Sequence, residues 1–238
     1  MAERADDPRP PRDDAALARR AQILATEHWG LLAARGTAQN EVLARITIHL
    51  ALVSAGLVSI GLLGQATGFD GAFPGAMLAI LGFLALIGWM TQLRVLHVGE
   101  EDLMYVIAMN RLRGAYVDLD PEVERYFLAG VADDERGAQR TYSFLRVRRD
   151  WAVIVGSSMM LIIVVQACVA GLLVGAALVT AGAALGWAVT AGAAVALVWA
   201  ASAARRGHRH YRTSLDAHRP LRSSPLPPAP PVQEPPLA

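Results

Sequence analysis

Two acidic triplets, Glu100-Glu101-Asp102 and Asp133-Asp134-Glu135, are the residues most suited to metal chemistry. Carboxylates from several positions can hold magnesium or calcium through oxygen. Consecutive residues on a helix, however, point in different directions, and the ligand spacing of a calcium loop is absent. Negative charge is favoured in the first turn of a helix by the macrodipole, so both triplets read better as helix starts, and no metal is expected there. His208, His210 and His218 offer nitrogen ligands, but they alternate with Arg205, Arg206, Arg209 and Arg212. Those cations repel a metal ion, and a basic segment of this kind suits anionic lipid headgroups.

Nucleophilic and phosphate chemistry has less to stand on. There is no phosphate-cradling glycine loop, no Gly-x-Ser-x-Gly and no His-Glu-x-x-His, so neither an enzyme nor a cofactor is expected. Cys168 is the single cysteine, which excludes an intramolecular disulfide and a cysteine-rich metal site. His49 and Gln166 are the polar groups that interrupt long apolar runs. A neutral imidazole bonded to a neighbouring helix or to water is expected of His49, and a helix-joining hydrogen bond of Gln166. Ser157 and Ser158 are expected to bond back to helix carbonyls.

The elements that must carry these groups follow from charge. All 22 basic side chains are arginine, and they fall in three blocks, Arg4 to Arg45, Arg94 to Arg149 and Arg205 to Arg222. Asp70 alone is charged between Ile46 and Leu93, and nothing is charged between Trp151 and Ala204. A bilayer core about 30 Å thick needs roughly 20 apolar residues per helix, so these runs hold four spans. Arginine in short flanking segments stays on the cytoplasmic side, which puts both termini and the central block there. The expectation is an all-α protein of the bacterial inner membrane, with four transmembrane helices in two hairpins and a cytoplasmic helical module. The charged first 45 residues argue against a cleavable signal peptide, so the first span would direct insertion.

The spans are expected at 46–65, 73–92, 151–177 and 183–204. Gly68, Asp70 and Gly71 mark the first turn, with Pro74 in the first turn of the second helix, and the stretch 178–182 marks the second turn. Gly71 and Gly75, Gly171 and Gly175, and Gly182 and Gly186 share helix faces that could admit another backbone, more readily inside one subunit than at a dimer face. Trp89, Trp151, Trp187 and Trp199 read as interfacial anchors.

In the central segment 93–150, Gly99 and the first triplet predict a helix from there to about Val117. Tyr105, Met109, Leu112 and Tyr116 form an apolar stripe on it. With Arg113, and with Arg125 and Tyr126 beyond the turn, they make a candidate interaction surface. Asp120-Pro121 predicts a capped short helix stopping at Gly130, and the second triplet a third helix running through Tyr142, Phe144 and Leu145 into the third span. The block 13–45 predicts an amphipathic helix from about Asp13 to Ala34 with Leu17, Leu24 and Leu31 at heptad spacing, and Gly36 and Thr37 permit a bend before 40–45 lead into the first span. Residues 1–12 are expected to be disordered. The tail 205–238 reads as basic and then proline-rich, extended from Arg219 on, with Arg222, Pro225 and Pro228 spaced as SH3-type grooves recognise.

The absence of lysine and the heavy use of alanine, arginine and glycine point to a GC-rich bacterial genome. Two membrane hairpins around Glu101-Asp102-Leu103-Met104-Tyr105-Val106-Ile107-Ala108-Met109-Asn110-Arg111-Leu112-Arg113, with Glu124-Arg125-Tyr126-Phe127 following, resemble four-span integral membrane proteins of high-GC Gram-positive bacteria. The resemblance covers Asp13 to Arg212 and implies no activity, cofactor or site. The expected partners are the lipid bilayer, anionic headgroups at the basic tail, and a protein partner or a second copy, with no nucleic acid. The function read from this pattern is a sensor, scaffold or assembly component, and the alternative is a channel or permease for a small solute or ion.

Overall fold

The computed structural model describes residues 14–143, 145 and 156–225, and these are helical with no strand. Helix α1 is Asp14–Thr67, α2 is Phe73–Leu119, α3 is Glu135–Tyr142, α4 is Ser158–Thr180 and α5 is Leu185–Ala217, with a 3-10 helix at Pro121–Tyr126 between α2 and α3. Four of them, α1, α2, α4 and α5, are long and apolar enough to cross a membrane, as suits a membrane protein.

Helix α2 is the central element: α1 packs along it, α4 packs on its apolar half, and α5 pairs with α4 and returns to α2. Two apolar clusters lie along α2. In the first, Val95 and Val98 meet Ala38, Val42 and Ile46 of α1 and Ile162 of α4. In the second, Leu103, Val106, Ile107 and Met109 pack on Ala138 of α3, with Leu31, Tyr211 and Leu215 around them. Thus the polar ends of α1, α2 and α5, together with α3, form one packed module.

Charge explains why three helices run on past their expected ends. No break occurs at Gly36, because Arg35 Nε and Gln39 Nε2 both donate to Asp102 Oδ1, at 2.6 and 2.7 Å, and hold α1 to α2 on either side of the glycine. Nor does a helix begin at Gly99. Helix α2 passes through it, and the first acidic triplet faces partners on other turns and helices: Glu101 pairs with Arg94 at 2.7 Å and Asp102 with Arg35 at 2.6 Å, while Glu100 Oε1 lies 2.6 Å from His210 Nδ1. Helix α5 likewise carries Arg205 to Arg212 in helical form out to Ala217.

Capping residues open the shorter elements. Asp120 accepts from the Glu122 amide at 3.0 Å, but the element it caps is a 3-10 helix that stops at Tyr126, before Gly130. Gly130 has another task, since a Cβ there would strike the Gly137 carbonyl of α3. Asp134 caps α3 through the Gly137 amide at 2.8 Å. That helix ends at Tyr142; Leu145 is exposed, and its expected continuation through Phe144, like Trp151 and the start of the third span, lies outside the described residues.

Of the spaced glycines only Gly171 and Gly175 face another helix closely. A Cβ on Gly171 would lie 2.6 Å from the Gly192 carbonyl oxygen, and one on Gly192 would lie 2.7 Å from that of Gly171, so α4 and α5 meet backbone to backbone. Gly71 and Gly182 instead take left-handed φ values of 62° and 88° in the turns, while Gly75 and Gly186 face open space.

Candidate functional site

The densest polar arrangement is built where the chain leaves α5. Helix α5 stops at Ala217, and residues 218–224 turn back onto the loop before α3. Asp133 is 0% exposed and receives them from several sides. The amides of Arg222 and Leu221 donate to its Oδ1 and Oδ2 at 2.8 and 3.1 Å, and Arg111 Nε donates to Oδ2 at 2.8 Å. Its own amide donates to the Arg222 carbonyl at 3.1 Å, and the His218 ring bonds its carbonyl at 2.7 Å. Next to it, Asp134 accepts from the Ser224 amide and hydroxyl, both at 2.7 Å. Arg222 also pairs with Asp118 at the end of α2.

Burial by itself would raise both carboxyls. The amide donors from Arg222 and Leu221 with Arg111 at Asp133, and Ser224 with the Gly137 amide at Asp134, outweigh it and hold both below the ordinary carboxylate range. Such carboxylates are occupied by donors. Among the described residues no three His, Cys, Asp or Glu side chains converge to hold a metal. What the arrangement does is clamp a peptide segment, and the proline-rich sequence begins directly after the clamp at Pro225.

A second junction braces the module. Asp102 accepts from Arg35, Gln39 and the Tyr142 hydroxyl, the last at 2.7 Å, tying α1, α2 and α3 together. Although the Tyr142 residue is 43% exposed, burial of its hydroxyl and the Asp102 charge keep that group protonated well above the usual phenol range. Beside it Arg94 bridges Glu41 and Glu101 at 2.8 and 2.7 Å.

The candidate surface divides into two. Met109 is 2% exposed and belongs to the core, and Tyr105 packs against both apolar clusters. Leu112, Arg113 and Tyr116 are half-buried, and the Tyr116 ring lies 6.3 Å from that of His28 on α1. Arg125 and Tyr126 stand apart on the 3-10 helix, the guanidinium 4.9 Å over the ring, with Tyr126 70% exposed. The structure therefore does not bring the seven together into one face.

Within the apolar halves, His49, Gly88 and Gln166 converge from α1, α2 and α4. Both polar side chains are 0% exposed. Gln166 Nε2 donates to the Ala85 carbonyl at 2.7 Å, while its Oε1 and both His49 ring nitrogens meet no hydrogen-bond partner among the described residues. Gly88 permits this approach: a Cβ there would collide with the Gln166 carboxamide and lie 2.7 Å from His49 Cε1. Trp199 Nε1 adds a tie to Gln92 Oε1 at 3.1 Å. Beyond this junction an apolar cleft of about 660 Å³ opens between α1 and α2 on one side and α4 and α5 on the other, lined in part by Leu57, Leu81, Cys168 and Gly171.

No known protein family, curated protein or solved structure matches this chain. The residues that sequence reasoning missed, Asp133 as the clamp and Gly88 as the seat for Gln166, carry no local signal. Their partners are far away in the chain, and each sits in a stretch with a simpler explanation, a helix start for Asp133 and an apolar run for Gly88.

Proposed function

We propose that the chain is a non-enzymatic, multi-pass protein of the bacterial inner membrane with both termini in the cytoplasm, acting as a scaffold through its cytoplasmic helices. One observation carries this reading: α1, α2 and α5 each continue unbroken from an apolar segment into the polar module, where ion pairs and the Asp133 clamp fasten them. A module joined so stiffly to its spans holds a surface, and the start of a proline-rich tail, at a set place beside the bilayer. Proline-rich segments are suited to aromatic grooves on a partner, which gives a scaffold something to present.

The alternative is a channel or permease, and the cleft next to buried His49 and Gln166, whose ring nitrogens and Oε1 meet no partner among the described residues, favours it, since polar groups within a membrane commonly mark a pathway. Two measurements separate the readings. Ion and small-solute flux from proteoliposomes holding the purified chain should equal that of protein-free vesicles. In cells, Val106→Asp, which puts a charge at a fully buried site in the module, should reproduce the defect of deleting the gene while the spans stay inserted. Robust flux that survives Val106→Asp would replace the scaffold by the permease.

A further inference from the structure

Three helices carry arginine at the edge of their apolar segments, and on two of them the protein itself supplies the counter-charge. On α1, Arg45 pairs with Glu41 at 2.8 Å; on α2, Arg94 bridges Glu41 and Glu101. Helix α5 differs. Its uncharged run ends at Ala204, and Arg205, Arg206 and Arg209 follow at once. All three are exposed, and among the described residues none meets a carboxylate. Further along, the arginines have partners again: Arg212 lies 3.5 Å from Glu135, and Arg222 pairs with Asp118.

Depth gives this gap a meaning. With Ala204 at the edge of the hydrocarbon core, a rise of ~1.5 Å per residue puts Arg205 to Arg209 ~1.5 to ~8 Å outside it, and the paired Arg212 at ~12 Å. Headgroups occupy ~5–8 Å beyond the core on each side. The uncompensated charges thus stand at headgroup level. Positions 205 and 209, and 206 and 209, are neighbours on a helix surface, so the three side chains share one side of α5.

That side borders an opening. Arg206 lines a shallow pocket with Trp89, Leu93 and Leu96 of α2 and Met159 of α4. A Cβ on Gly207 would lie 3.7 Å from Met159 Cε and 3.8 Å from Leu96 Cδ1, so α5 runs directly beside the apolar wall. The enclosed part is about 20 Å³, room for about one water-sized group, which seats the edge of a larger molecule and not a whole one. Trp89 is 43% exposed there, and an amphipathic indole suits the headgroup region.

We propose that Arg205, Arg206 and Arg209, with the pocket beside Trp89, bind the headgroup of an anionic phospholipid of the surrounding bilayer. The planar guanidinium fork suits phosphate oxygens, and the apolar wall suits the glycerol and the first methylenes of the chains. A net negative lipid is favoured over a zwitterionic one because a zwitterion brings its own cation to a cluster that already has three. Basic clusters just outside a span attract such lipids. The inference rests on the four helices crossing a bilayer; it is independent of the scaffold reading and of the side on which the termini lie.

The test is native mass spectrometry of the full chain in detergent, titrated with short-chain phosphatidylglycerol or phosphatidylcholine. Wild type should retain phosphatidylglycerol saturably and in preference to phosphatidylcholine, and an excess of inorganic phosphate should not displace it. Arg206→Gln should weaken the binding about fivefold, and the triple replacement of Arg205, Arg206 and Arg209 by Gln by about two orders of magnitude. The exposed control Arg19→Gln should leave it unchanged. Trp89→Ala should weaken it too, and unchanged affinity in that variant would strike the pocket from the site. Equal retention of the two lipids would overturn the proposal, as would phosphatidylglycerol binding that persists in a triple variant with native helix content by circular dichroism. Displacement by inorganic phosphate would overturn the lipid in favour of a free anion.

Discussion

Asp133 and Arg222 hold each other in both directions: the Asp133 amide donates to the Arg222 carbonyl at 3.1 Å, and the Arg222 amide donates to Asp133 Oδ1 at 2.8 Å. This exchange resembles one rung of a β-ladder with a carboxylate standing in for one carbonyl. It fastens the end of the described chain to the loop ahead of α3, although 218–224 form no strand.

Removing the Asp133 carboxylate should therefore free the tail before it harms the helices. Loss of one member of a buried charged network costs about 3 kcal/mol, or a factor of about 100. Asp133→Ala should speed hydrogen exchange at the Leu221 and Arg222 amides by about that factor, with α2 protection intact. Unchanged exchange at both amides would show that the clamp does not hold the segment.

The same clamp should be indifferent to pH over the physiological range. Asp133 and Asp134 are held below the ordinary carboxylate range, so their contribution is fully present above the unfolded value of about 4. It is lost as pH falls through the lower folded values. Trypsin cleavage after Arg222, read on samples equilibrated at each pH and returned briefly to neutral, should be slow from pH 8 to 5 and rise only after exposure below about pH 4. A rise near pH 6 would move the control to another group.

Gly88 should be intolerant of any side chain. A Cβ there meets the Gln166 carboxamide and His49, and forced overpacking costs typically 1–3 kcal/mol. Gly88→Val should lower the Tm of the detergent-solubilised protein by several degrees, whereas Gly82→Ala, which faces open space, should not. Equal Tm values for the two variants would remove Gly88 from the junction.

The proposed orientation can be read with thiols. In a Cys168→Ala background, Asp70→Cys and Thr180→Cys should react with an impermeant reagent on intact cells, and Ala217→Cys only after lysis, because all three positions are exposed. Labelling of Ala217→Cys in intact cells would reverse the topology.

Much of the architecture was legible in the chain because apolar runs and charge-free stretches are local properties. The runs from Ile46 and from Phe73 became α1 and α2, the turn residues Gly71 and Gly182 lie at the turns, and Asp120 and Asp134 cap as their types imply. Capping and turn chemistry act over a few residues, so spacing alone exposes them. Helix ends within charged sequence were not legible. An acidic triplet favours a helix start in isolation and an ion pair in company, and only packing decides between the two. Glu101 and Asp102 found Arg94 and Arg35, so α2 continued, while Asp134 found the Gly137 amide, so α3 began. The carboxylate that holds the tail and the glycine that seats Gln166 are likewise facts of tertiary structure. Each depends on a partner dozens of residues away, and a sequence carries no local trace of a distance that the fold alone brings to zero.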